Sequence, residues 1–196
     1  MFLHRKLAAA FLVLTLAGVA GCATPPPQNR FAEITFEHLD PIRLDVAEVV
    51  MEQSYVPPNE TPNVDHLFPV APADGALRWA GDRLIAKGTS RRARFIVRDA
   101  SAIEESLDTS DGITGILTVD QSERYSGHIM VELQIFDGNH LEGTASAEAR
   151  RSITVPEDLS LREREEVWYQ LTEDILADLN RELEKVISST YAPYLL

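Results

Sequence analysis

The chain has 196 residues, a formal net charge of −13 and a single cysteine. That much acid argues against nucleic acid as a partner and against adhesion to anionic lipid by charge. One cysteine leaves no internal disulfide and no multi-thiolate zinc site, so a folded part has to rest on buried apolar surface.

The first stretch is a short basic start, Arg5 and Lys6, followed by a run from Leu7 to Ala20 that is apolar except for Thr15. It is too short and too thinly flanked for a spanning helix but has the length of a signal-peptide core. Ala20 and Gly21 are small enough to lie extended in a peptidase groove, and Cys22 follows directly. Val19-Ala20-Gly21-Cys22 resembles the lipobox of bacterial lipoproteins. The resemblance implies residues 1–21 as signal peptide, cleavage before Cys22 and acyl chains of the palmitate kind on that cysteine. Each buried methylene of such an anchor contributes about 0.8 kcal/mol of membrane affinity. Ala23, standing where aspartate would signal retention, implies the outer membrane and a domain facing the periplasm. The plainer alternative is an ordinary signal peptide, or an uncleaved anchor, with an incidental cysteine. An unpaired thiol in an oxidising compartment counts against it.

Residues 22–30 hold Pro25-Pro26-Pro27 and read as an extended leash, with a single domain expected over 31–196. Phe31, Ile34, Phe36 and Leu39 follow without a clean period. Ile42, Leu44 and Val46 alternate with polar residues, which predicts a first core strand over 42–51, although the phase slips after Glu48. Residues 52–71 carry Pro57, Pro58, Pro62 and Pro69 and no pattern, a long loop for a small domain. Tyr55, Leu67 and Phe68 in that loop are expected to form a partner-binding surface. The competing reading is a loop that packs its own apolar residues beneath itself.

A helix is predicted over 72–87, with Pro72 in the first turn and Gly88 as its C-terminal cap. Ala93, Phe95 and Val97 predict a second strand, which 101–107 can prolong, and Asp108 to Gly112 a turn. A further strand runs from Ile113. Ile129, Val131, Leu133 and Ile135 hold a strict period of two, and Asp137-Gly138-Asn139 is a hairpin turn. On the returning strand Ala145, Ala147 and Ala149 share a face that leaves room for a helix, while Thr144, Ser146, Glu148 and Arg150 face solvent. Ser160 and Glu163 have capping-box spacing. Trp168, Leu171, Ile175, Leu179, Leu183 and Val186 then trace one stripe of a long amphipathic helix. The tail from Thr190 to Leu196 is apolar and unpatterned.

Reactive chemistry is thin. The sequence has no G-x-S-x-G elbow, no phosphate-binding glycine loop and no H-E-x-x-H. Of five histidines, His38 and His66 stand beside an acid, and none are paired at metal-ligand spacing. Arg91, Arg92, Arg94 and Arg98 cluster; they either answer neighbouring acids such as Glu132 or meet an anionic partner. No catalytic residue, metal or cofactor is expected.

These elements predict an α+β two-layer sandwich: a mixed, mainly antiparallel sheet covered on one face by two helices, in the order β-α-β, β-meander, α. In anchor and architecture this resembles small auxiliary and assembly lipoproteins of the bacterial envelope, such as the lipopolysaccharide-assembly lipoprotein and transport-associated auxiliary lipoproteins. The segments 164–169 and 62–66 resemble uncharacterised alphaproteobacterial lipoproteins. What the resemblance implies is a non-enzymatic adaptor in outer-membrane assembly, transport or maintenance. It would be held to the membrane by lipid on Cys22 and would bind a protein or lipid partner. The alternative is a periplasmic enzyme or small-ligand binder, which would gather acids or histidines in a cleft.

Overall fold

The computed structural model describes residues 30–107, 121–156 and 158–196, of which Phe31–Leu196 form one unit. Cys22, the expected signal peptide, the expected leash as far as residue 29 and the turn expected at 108–112 lie outside the described residues, as does the start of the strand expected from Ile113.

The expected strand over 42–51 is two strands in two sheets. β1 (Ile42–Leu44) ends where Val46 turns into the core at 0% exposure, and β2 (Glu48–Gln53) then starts elsewhere. The corner is held by backbone bonds from Ala47 N–H to Ser90 O and from Gly88 N–H to Val46 O. The slipped hydrophobic phase after Glu48 is thus the change of sheet.

Helix α1 (Pro72–Arg83) begins at Pro72 as expected but stops at Arg83, because Leu84 is already extended. β3 (Leu84–Ala86) then pairs in parallel with β1, Ile42 opposite Leu84 and Leu44 opposite Ala86. Gly88 is therefore not a helix cap. It lets two backbones meet: a Cβ there would lie 2.6 Å from the Asp45 carbonyl carbon and 2.7 Å from the Val46 nitrogen.

β4 (Arg92–Ser106), β5 (Gln121–Asp137) and β6 (His140–Pro156) complete a four-stranded sheet in the order β2-β4-β5-β6. β2 runs parallel to β4, the crossover passing through α1, and the other pairs are antiparallel. Asp137 pairs with His140 across the expected hairpin, where Gly138 takes φ +56°. A bulge between Val97 and Asp99 shifts the register of β4.

Helix α2 (Leu161–Thr190) opens with the reciprocal capping box of Ser160 and Glu163. It lies on the alanine stripe of β6, where Ala145, Ala147 and Ala149 are buried. Ile129, Val131, Leu133 and Ile135 are all at 0% exposure beneath the helices. α1 and α2 are joined by polar bonds as well as by packing. Trp79 Nε1 donates to Asn180 Oδ1 at 2.7 Å, and the buried Arg83 reaches Asn180 at 2.8 Å and Glu184 at 2.6 Å. The fold is α+β, a mixed and mainly antiparallel sheet with both helices on one face.

The tail tucks in. Tyr191 is buried and its hydroxyl donates to Leu133 O, burial pushing its pKa up to about 12. Leu195 bridges to Leu44, Asp45 N–H donates to Tyr194 O and Leu196 N–H to Arg43 O. The C-terminal residues thereby close the small sheet on its open side.

Candidate functional site

The face of the large sheet turned away from both helices is the broadest feature left without a covering element among the described residues. Strand alternation dictates its lining: Arg94, Ile96 and Arg98 on β4, His128, Met130, Glu132 and Gln134 on β5, and Ser146, Glu148 and Arg150 on β6. The face is ordered by charge. Arg98 bonds Glu132 at 2.7 Å, and that bond raises the guanidinium's pKa further. Arg94 donates to Gln134 at 2.8 Å and stands 3.7 Å from Glu52. Ile96 lies in register between Glu52 and Glu132, yet is at 0% exposure. The stems of the neighbouring long side chains roof it over. Of the arginine cluster, Arg91 also pairs, with Glu142 at 2.8 Å and Asp45 at 3.4 Å, and Arg92 stands over the Phe136 ring. These arginines answer acids and rings of their own chain.

The histidine that sequence spacing passed over lies on this face. His128 Nδ1 is 3.1 Å from Asp99 Oδ2, and its Nε2 is 3.5 Å from Glu148 Oε2. Asp99 is 29 residues away and is aimed by the bulge beside it, so adjacency in sequence gave no signal. Ser101, Ser126, Arg150 and Ser152 edge the same shallow depression, of about 440 Å³. His66 and His38, the histidines that do adjoin an acid in sequence, lie on exposed parts of other segments.

The 52–71 loop divides between the two readings of it. It continues the sheet past the end of β2: Val64 N–H donates to Ala102 O, Glu104 N–H to Pro62 O, and Asn63 bridges to Ile103. A short 3-10 turn (Asp65–Leu67) follows. Phe68, expected to meet a partner, is instead 7% exposed and stacked on Trp168 at 5.3 Å, in a second small core with Val64, Tyr125 and Leu171. Burying it there removes a large apolar ring from water, and a partner cannot reach it. Tyr55 is partly buried against the main core, and burial raises its pKa first, with Asp65 adding to the effect. Leu67 alone of the three expected contact residues is open, at 52% exposure, with Val56 at 79% earlier in the loop. The three do not form one patch.

Among the described residues, no group of three or more His, Cys, Asp or Glu side chains is placed to hold a metal ion, and no helix is long and apolar enough to cross a membrane.

No protein-family profile matches the chain, and no curated protein matches its sequence. Solved structures do. The chain is similar to the rare lipoprotein B of Shewanella oneidensis, at 15% identity over 72% of this chain and 95% of that one, with a TM-score of 0.39. It is similar to an uncharacterised lipoprotein B of Nitrosomonas europaea, at 14% identity over 81% and 91%, TM-score 0.39. A minor lipoprotein of Acinetobacter baumannii matches at 16% identity over 70% and 90%, TM-score 0.33. At these identities and scores the likeness says nothing of what the chain binds.

Proposed function

We propose that this chain is a lipid-anchored lipoprotein of the bacterial envelope, facing the periplasm from the outer membrane, whose domain binds a protein partner on its open sheet face. The observation that carries the binding reading is the one-sided sheet. Long strands hold a pre-ordered lattice of ion pairs and hydrogen bonds on a surface that no helix of the described residues covers. Such a face offers fixed polar geometry at little ordering cost, which favours recognition over chemistry.

The anchor is tested with Cys22→Ser. The variant is expected to lose metabolic palmitate label and to leave the membrane fraction while keeping its fold; retained label overturns the anchor. The face is tested by placing a photoreactive residue at Met130, inside the open face, and at Glu166 on the exposed side of α2, in intact cells. A discrete adduct from position 130 alone supports the reading. Equal labelling from both positions, or none from 130, removes it.

One observation favours a small ligand instead, the Asp99–His128 pair at 3.1 Å in its serine-edged depression. His128→Gln replaces the imidazole that faces Asp99. Under this second reading it would abolish ligand uptake with the position 130 adduct unchanged.

A further inference from the structure

The two edges of the large sheet are not alike. β2 is short, six residues. β6 has 17 residues, runs in unbroken register with β5 from Gly143 to Val155, and has no strand on its outer side among the described residues. Sheet edges of that length are ordinarily blunted by a lysine, a proline or a bulge. Between Gly143 and Val155 there is no lysine, proline or bulge, and the charges are Glu148 and Arg150 on the open face and Arg151, which bonds Asp178 of α2.

The sequence along that edge is its own complement. On the open face the order is Thr144, Ser146, Glu148, then Arg150, Ser152, Thr154, with Ala149 between the halves. Turned about a two-fold axis through Ala149, one β6 laid antiparallel on another sets Thr144 against Thr154, Ser146 against Ser152 and Glu148 against Arg150, each twice. Side chains of directly opposed residues share a face and stand close enough for hydroxyl pairs to bond and opposite charges to attract. Any shift of register by two residues puts Glu148 opposite Ser152 or opposite Glu148 of the other copy. On the helix side the opposed residues at the centre are two small alanines.

The charged residues are available for this. Glu148 and Arg150 are 53% and 68% exposed, and their contacts within the chain are long, 3.6 Å to each other and 3.5 Å from Glu148 to His128. We propose that two copies of this chain join through their β6 edges, antiparallel and centred on Ala149, into a continuous eight-stranded sheet with both polar faces on one side. An isologous two-fold contact of this kind uses one patch twice, which is what a self-complementary strand supplies.

The register is tested in the full-length chain with Ser146→Cys and Ser152→Cys. Within one strand these positions lie about 20 Å apart, far beyond the roughly 7 Å that a disulfide spans between Cα atoms. Co-expressed single variants are expected to form a covalent dimer on mild oxidation, while each alone does not; the single variants also control for Cys22. In detergent the unaltered chain should sediment as a dimer, and Glu148→Arg should weaken it at least tenfold. Glu148→Arg combined with Arg150→Glu should restore it. A monomeric unaltered chain overturns the proposal. So does a disulfide formed by either single variant alone, a disulfide to a different protein, or a charge swap that keeps native circular dichroism without restoring the dimer.

Discussion

Phe68 and Leu67 are neighbours in the chain and opposites in the fold. Phe68 lies under the loop against Trp168, and Leu67 points out of it. Phe68→Ala should therefore cost about 3–5 kcal/mol, as loss of a buried ring does, and Leu67→Ser less than about 0.5 kcal/mol. Chemical denaturation of each variant checks this; equal midpoints would mean that the ring is not packed. The sequence showed that the loop held more apolar residues than a connection needs. It could not say which were buried, because that depends on Trp168, far along the chain. The same distance hid Asp99 from His128. By contrast Tyr191, in a tail that has no pattern in the sequence, is fixed by one buried hydrogen bond to Leu133 that only the assembled sheet provides.

Among elements, the strongly periodic ones were legible and the short ones were not. The strand through Ile129 to Ile135 and the stripe of α2 followed from spacing, since each buries one face into the main core. Ile175 is 1% exposed in the middle of that stripe, and Ile175→Ala is expected to cost about 2–5 kcal/mol by denaturant titration. β1, β3 and the end of α1 leave no such signal, because three-residue strands have no period and parallel pairing at Leu84 overrides the helical pattern after Arg83. The start of α2 carries a titratable device. Bonds from the Ser160 side chain, then from its backbone, hold the Glu163 carboxyl below its ordinary range. A carboxyl lowered on folding stabilises above its unfolded pKa, and the contribution is lost as pH falls through the lower folded value. The first turn of α2 should fray in that acid window. Ser160→Ala should move the Glu163 titration up toward the ordinary glutamate range, read by carboxyl NMR titration; an unmoved titration would mean the cap is not formed in solution.

At the scale of the molecule, the two ends of the described fold are tied together. Leu195 and Leu196 meet Arg43 and Leu44 through backbone pairing. Removing residues 192–196 should cost about 1–3 kcal/mol, from a few lost backbone bonds. It should raise amide exchange in β1 while β5 stays protected; equal exchange in both strands would mean that the tail is not paired. The class of fold was legible from the order of its elements, but this closure was not, since nothing in an unpatterned tail names its partner. The cover of the sheet has a further consequence for a chain that emerges N-terminus first. Until α2 has appeared, Ile129 to Ile135 and the alanines of β6 have no lid, and until residue 195 the small sheet stays unclosed. Such a chain cannot lock into its native form part-way.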